Sequence, residues 1–155
     1  MKAVLIRSIA LAVVHFATVC AADEASDAVQ GELKKLEGTW HTAALTYNGK
    51  DFLANGKSGF HFVFKNDEAT IEGNDAVKKE YAKIRVKLDP AAMPRLLDMK
   101  VLGGVQINAT IEGIYELRDD ELKICAKVFG SDRPTEFSSP EGSSVVLLVL
   151  KREKK

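Results

Sequence analysis

Leu33-Lys34-Lys35-Leu36-Glu37-Gly38-Thr39-Trp40 is the stretch on which the reading of this chain turns. Leu33 and Leu36 end an apolar stripe at helical spacing, and from Gly38 the apolar period changes to two. Gly38 lets the backbone turn sharply where helix gives way to strand, because it lacks a Cβ. Trp40, the only tryptophan of the chain, follows two residues later. Its large flat side chain has one N–H to satisfy. A strand that opens this way is suited to plug one end of a β-barrel with the indole.

Working toward the C-terminus, short strands alternate with turn signals. Residues 40–47 predict the first strand, closed by Asn48-Gly49, a strong hairpin signal. Residues 50–58 read as a loop with Phe52 and Leu53 tucked in. Phe60, Phe62 and Phe64 then alternate with His61, Val63 and Lys65, placing an aromatic row on one face. Asn66-Asp67 turns this strand into a short third one over 69–72, and Gly73-Asn74-Asp75 turns it again. Residues 76–88 predict strand four, with Ala82, Ile84, Val86 and Leu88 inward and Tyr81, Lys83, Arg85 and Lys87 toward water. Asp89-Pro90 stops it, since proline cannot donate to the ladder. Leu97, Met99 and Val101 mark strand five, which Gly103-Gly104 breaks. Strand six spans 107–117, with Ile111, Gly113, Tyr115 and Leu117 on one face. Asp119-Asp120 turns it into strand seven over 121–128, whose inner face is Leu122, Ile124 and Ala126. A loop rich in Ser, Pro and Gly covers 129–142. The last strand, 144–151, is apolar at every position from Val145 to Leu150, so both its faces require cover. The N-terminal helix stripe is the expected cover.

Eight short strands joined mostly as hairpins predict an all-β fold, an eight-stranded antiparallel up-and-down barrel with a short N-terminal helix. Closure removes exposed edges.

Working toward the N-terminus, Ser26 is placed to cap a helix over 27–36, where Val29 continues the Leu33 and Leu36 stripe. Residues 1–22 have the pattern of a secretory signal peptide. Lys2 and Arg7 precede an apolar run over 9–19, Cys20-Ala21-Ala22 offers small residues for cleavage, and Asp23-Glu24 follows. The run is shorter than the roughly 20 residues a membrane span needs, so no transmembrane span is expected after cleavage. Val19 stands where a lipoprotein box wants Gly or Ala, which makes anchoring at Cys20 the lesser alternative. Removing 22 of the 155 residues leaves a single domain over 23–155 with 20 basic against 22 acidic residues. A near-neutral domain gives no electrostatic reason to expect nucleic acid. Only Cys125 remains, so no disulfide forms within the mature chain, which is ordinary for a bacterial exported domain.

Catalytic chemistry finds little footing. His41 and His61 lie in no metal-ligand pattern. Cys125 sits between Lys123 and Lys127, yet no base is paired with it. Asp119, Asp120 and Glu121 occupy a hairpin turn, where carboxylates are commonly solvated. Nucleophile elbow and phosphate-binding loop are both missing. The chain is therefore read as a non-enzyme without cofactor or metal. Asn108-Ala109-Thr110 matches a glycosylation sequon.

Several runs, in this order, resemble one family. Glu32-Leu33-Lys34-Lys35-Leu36-Glu37-Gly38-Thr39-Trp40 opens the likeness, and Tyr47-Asn48-Gly49-Lys50 and Lys87-Leu88-Asp89-Pro90 continue it. Gly113-Ile114-Tyr115-Glu116-Leu117 precedes Leu122-Lys123-Ile124-Cys125. Arg133-Pro134-Thr135-Glu136-Phe137-Ser138-Ser139 and Val145-Val146-Leu147-Leu148-Val149-Leu150-Lys151-Arg152 close it. Together they resemble the planctomycete-type exported domain of about this length, a family without a settled biochemical function. The likeness spans essentially the whole mature chain and implies a bacterial, extracytoplasmic protein, periplasmic or secreted. That family is in turn similar to the lipocalins, whose opening motif Gly38-x-Trp40 resembles. The similarity implies that Lys151 or Arg152, late in the last strand, lies across the indole to close the barrel. The turn Arg118-Asp119-Asp120-Glu121-Leu122 departs from the lipocalin pattern by lacking its Tyr, and the lipocalin disulfide is absent. The resemblance therefore bears on the barrel more than on ligand transport.

Two functions stay open on these residues. In one, Phe60, Phe62, Phe64, Met99 and Tyr115 line a barrel cavity that takes a small apolar ligand. In the other, the same aromatics fill a solid barrel, which meets a protein partner at the cell envelope through Arg133, Glu136 and Phe137 of the 129–142 loop. Arg133 and Glu136 pairing with each other, with Phe137 as anchor, would simply fix that loop.

Overall fold

The computed structural model describes residues 18–53 and 59–154, so most of the signal-like segment lies outside the described residues. In chain order the elements are α1 (Thr18–Leu36), β1 (Gly38–Tyr47), β2 (Lys50–Asp51), β3 (His61–Lys65), β4 (Glu68–Glu72), α2 (Asp75–Glu80), β5 (Lys83–Asp89), β6 (Arg95–Gly103), β7 (Thr110–Arg118), β8 (Glu121–Lys127) and β9 (Val145–Arg152). The strands form one antiparallel sheet in the order β2-β1-β3-β4-β5-β6-β7-β8-β9. β1 also pairs with β9, which closes β1 and β3 to β9 into an eight-stranded barrel.

β1 makes closure possible by serving two neighbours. Its first residues pair with β3, from Gly38↔Phe64 to His41↔His61. From its third residue to its end it pairs with β9, from Trp40↔Arg152 to Tyr47↔Val146, with a register shift between Thr42 and Ala44. Asn48 and Gly49 both have positive φ, as a type I′ turn requires, and fold the two-residue β2 back on β1.

The period-two pattern sorts the side chains as expected. Phe60, Phe62 and Phe64, Ile84, Val86 and Leu88, and Leu122, Ile124 and Ala126 are all buried in the core. No helix of the described residues is long and apolar enough to cross a membrane.

Four local expectations are corrected. The helix expected over 27–36 begins at Thr18, so Ser26 lies inside it rather than capping it. Ala21, Ala22, Glu24 and Ala25 favour helix and carry it through Ser26. The segment 76–82 is not strand: Asn74 caps α2, its side chain accepting from the backbone N–H groups of Ala76 and Val77. A cap that competes with a turn residue for the same asparagine is a one-residue difference in sequence. Residues 104–109 form a tight loop held by Val105 N–H to Lys79 O and Asn108 N–H to Val101 O, and leave Ile107 exposed. Finally, α1 does not cover β9. Its Leu33 and Leu36 join the barrel core. The outer face of β9 is covered by the loop after β8, where Phe137 packs with Leu147 against Val145, Ile114 and Cys125.

Candidate functional site

The two ends of the barrel are built differently. At one end α1 runs into β1 and stops the barrel. Trp40 is fully buried there, and its Nε1 donates to the Leu36 carbonyl at 2.7 Å. The Arg152 guanidinium lies over the indole, 4.1 Å from the ring centroid. Arg152 also donates to the carbonyls of Glu37 at 2.7 Å and Lys35 at 2.5 Å, and Asp120 lies 3.5 Å from its Nε. One side chain thus caps the last turn of α1, whose terminal carbonyls have no partners within the helix. Gly38 has φ +119, a conformation that side chains rarely adopt. Lys151 faces outward and pairs with Glu121 at 2.5 Å, holding the Glu121 carboxyl below the usual carboxylate range.

Glu32, on α1, is 7% exposed and brings a carboxylate to this stopper. It accepts from Lys35 at 3.0 Å, Arg95 at 3.2 Å and the Tyr115 hydroxyl at 3.3 Å. Burial, and then the Glu32 charge, push the Tyr115 phenol far above its ordinary value. A phenol whose ionisation is suppressed in the fold contributes stability that is complete below its unfolded value, about pH 10, and is lost as pH rises above it. We expect the stability difference between the parent and Tyr115→Phe to shrink by about 1.4 kcal/mol per pH unit above pH 10. Urea titrations at pH 9, 10 and 11 measure it. A difference that is flat with pH would show that Tyr115 ionises as freely as in the unfolded chain.

The interior next to this stopper is solid. Between Leu36, Phe64, Val86, Leu88, Leu97, Met99, Tyr115, Leu122 and Ile124 the remaining void is ≈10 Å³, about the size of one water probe. The other end is hollow. A cavity of ≈330 Å³ lies between Phe60, Phe62, Ile71, Ile84, Ile111 and Leu148 of the barrel wall, among others. α2 contributes Val77, and Tyr81 follows it. Tyr47 and Phe52 reach it from the end of β1 and the turn beyond β2, and Val128 and Phe129 from the end of β8. Met99 touches both halves.

Of the five residues expected to bind ligand, Phe60, Phe62 and Met99 therefore line the cavity, whereas Phe64 and Tyr115 belong to the solid half. Tyr81, expected on the water face, is half-buried and lines the cavity. Val77 and Tyr81 escape sequence reasoning because the alternation over 76–88 gives no sign of α2. The other wall residues, such as Ile84, Ile111 and Leu148, are indistinguishable in sequence from core.

The 129–142 loop is pinned to the outer wall. Arg133 donates to the carbonyls of Gly113 at 2.7 Å and Leu97 at 3.3 Å, and pairs with Asp98 at 2.7 Å. Its other carboxylate neighbour is Glu112, not Glu136. Glu136 accepts from the Ser138 hydroxyl at 2.9 Å, and Lys123 lies 5.6 Å from the Phe137 ring centroid. Beneath the loop, Cys125 is fully buried with its thiol 3.4 Å from the Ser138 carbonyl, and burial pushes that thiol up.

His41 and His61 stand side by side on β1 and β3, with ring centroids 5.1 Å apart. Each has its own glutamate, Glu153 at 3.6 Å and Glu72 at 3.3 Å. No group of three His, Cys, Asp or Glu among the described residues is placed to hold a metal ion. The hollow end of the barrel is thus the candidate site, an apolar cavity suited to binding. Compared with family models, curated proteins and solved structures, the chain finds no match.

Proposed function

We propose that this protein is an exported carrier or sensor that holds a small apolar ligand in the hollow half of its barrel and performs no chemistry on it. The observation that carries the proposal is the ≈330 Å³ cavity, walled by aliphatic and aromatic side chains and lying opposite a solid, stoppered end. Its volume is at the lower end of the range of small-molecule sites. At roughly 30 Å³ per water-sized group it has room for about ten of them. Burying about ten methylenes is worth about 8 kcal/mol, which limits the affinity to about micromolar. Export rests on the basic, apolar and small-residue pattern of residues 1–22 and on the resemblance to an exported family. The rival reading, an envelope partner recognised through Arg133, Glu136 and Phe137, draws less support, because Arg133 and Phe137 are already engaged with the barrel wall.

The test is a titration with N-phenyl-1-naphthylamine, a neutral apolar dye that brightens when it leaves water. Uptake with a Kd of about 1–100 μM is expected. Val146 lines the cavity from β9 and is only partly buried. Val146→Trp is expected to fill the hollow and weaken uptake at least ~10-fold, with the unfolding midpoint unchanged. Equal uptake by parent and variant would place the dye elsewhere and sink the carrier reading.

A further inference from the structure

The lining of the cavity is unusual in what it omits. Among the described residues that line it there is no Lys, Arg, His, Ser, Thr, Asn or Gln. Of these described side chains Tyr47 and Tyr81 alone carry an oxygen. Tyr47 ends β1 and Tyr81 follows α2, so both stand at the hollow end of the barrel. Neither hydroxyl has a hydrogen-bond partner among the described residues. Phe62, Met99 and Leu148 line it on the side of the solid half: Met99 borders both, Phe62 stacks on Phe64, and Leu148 pairs with Ile124.

We propose that the ligand is a neutral, single-chain amphiphile of about ten carbons, its tail among Phe62, Met99 and Leu148 and its one polar head between the Tyr47 and Tyr81 hydroxyls. This inference rests on the cavity being the ligand site. A chain fits because the wall is apolar throughout its depth, so any polar group buried there would go unpaired. One head group fits because only the two phenols are available, and a ligand that covered them without hydrogen bonding would strand both. The head is neutral because the lining, among the described residues, has no cation to receive a carboxylate. Glu80 acts in the same sense: after burial, its carboxylate is the next cause that pushes the Tyr81 phenol up, so a second anion there meets repulsion. Lys78 and Lys79 of α2 are exposed and outside the lining. An alcohol, aldehyde or ester of medium chain length meets these conditions, and a fatty acid anion does not.

The experiment displaces N-phenyl-1-naphthylamine from the full-length mature protein with 1-decanol or with decanoate at pH 8. Decanol is expected to compete at about 100-fold lower concentration than decanoate. In the double variant Tyr47→Phe, Tyr81→Phe, the affinity of decanol relative to the dye is expected to fall by about three- to tenfold for each hydroxyl it uses. Circular dichroism establishes that the variant is folded. Equal competition by decanol and decanoate, or a decanol-to-dye ratio untouched by the double variant, overturns the inference while the carrier reading stands. Absence of dye uptake by the parent overturns both.

Discussion

Trp40→Ala is expected to lower the stability of the barrel by about 3–5 kcal/mol, the range for removing a large aromatic from a packed core. The indole is fully buried, so nothing fills the space it leaves without moving β1 or α1. Two further contacts go with it. The Leu36 carbonyl loses its donor at 2.7 Å, and Arg152 loses the ring face 4.1 Å away. Arg152 is also what ties the last turn of α1 to β9, so the loss extends to the docking of the helix. Since a domain of this size is stable by only about 5–15 kcal/mol, the variant stands near its unfolding threshold. Trp40→Phe separates the contributions: it keeps most of the ring and removes the N–H, and is expected to cost about 1–3 kcal/mol. Urea unfolding followed by far-ultraviolet circular dichroism is the suitable readout, because the substitution removes the only tryptophan. With a slope of about 1–3 kcal/mol per molar urea, Trp40→Ala should move the midpoint by roughly 2 M. A shift below about 0.5 M would mean that the stopper is not what holds this end shut.

The second large effect is expected at Gly113→Val, about 3 kcal/mol or more. A Cβ at this position would stand 2.6 Å from the Cys125 carbonyl oxygen and 2.8 Å from Ala126 Cβ. These are atoms of the neighbouring strand β8, across the Gly113↔Ala126 pairing, not the ends of flexible side chains. Relief therefore requires β7 and β8 to separate, and overpacking of a rigid core commonly costs 1–3 kcal/mol, more when backbone is displaced. The Gly113 carbonyl also accepts from Arg133, so moving β7 disturbs the anchor of the loop over the outer wall. Gly113→Ala should show most of the same cost, because the first added carbon makes the clash. Arg133→Ala should cost less, about 1–3 kcal/mol, by leaving the Gly113 and Leu97 carbonyls and Asp98 without this donor. Thermal unfolding of the three variants gives the order. If Gly113→Ala is neutral while Arg133→Ala is not, the close approach of β7 and β8 is not a constraint on the fold.

The barrel itself was readable from local pattern because a half-buried strand leaves an alternating record, and 60–64, 84–88 and 122–126 each leave a clear one. Pairing of β1 with both β3 and β9 was implied only through the count of strands. What pattern misread were the places where chemistry is decided by one residue's backbone. Asn74 can turn a chain or cap a helix, and choosing the turn hid α2 and with it Val77 and Tyr81 of the cavity. The division of the interior was beyond sequence in principle. Phe62 and Phe64 share a strand and a face, yet one borders a hollow and the other a filled core. Which it is depends on how much side-chain volume the facing strands deliver at that level. The cover over β9 was assigned to the wrong segment for a related reason. An apolar stripe on a helix does not say which apolar surface it meets, and Phe137 lay in a loop with no period to mark it.

A vessel sealed at one end by its most tightly packed residues keeps its endurance and the shape of its hollow in different places. The side chains that close the stopper, Trp40, Glu32, Tyr115 and Arg152, do not touch the hollow. Wall positions such as Val128, Phe129 and Val146 are only partly buried or exposed, so exchanging them takes little from the core. Descendants of this chain are thus free to reshape the hollow by changing the rim, a few residues at a time, without first acquiring spare stability to survive the change.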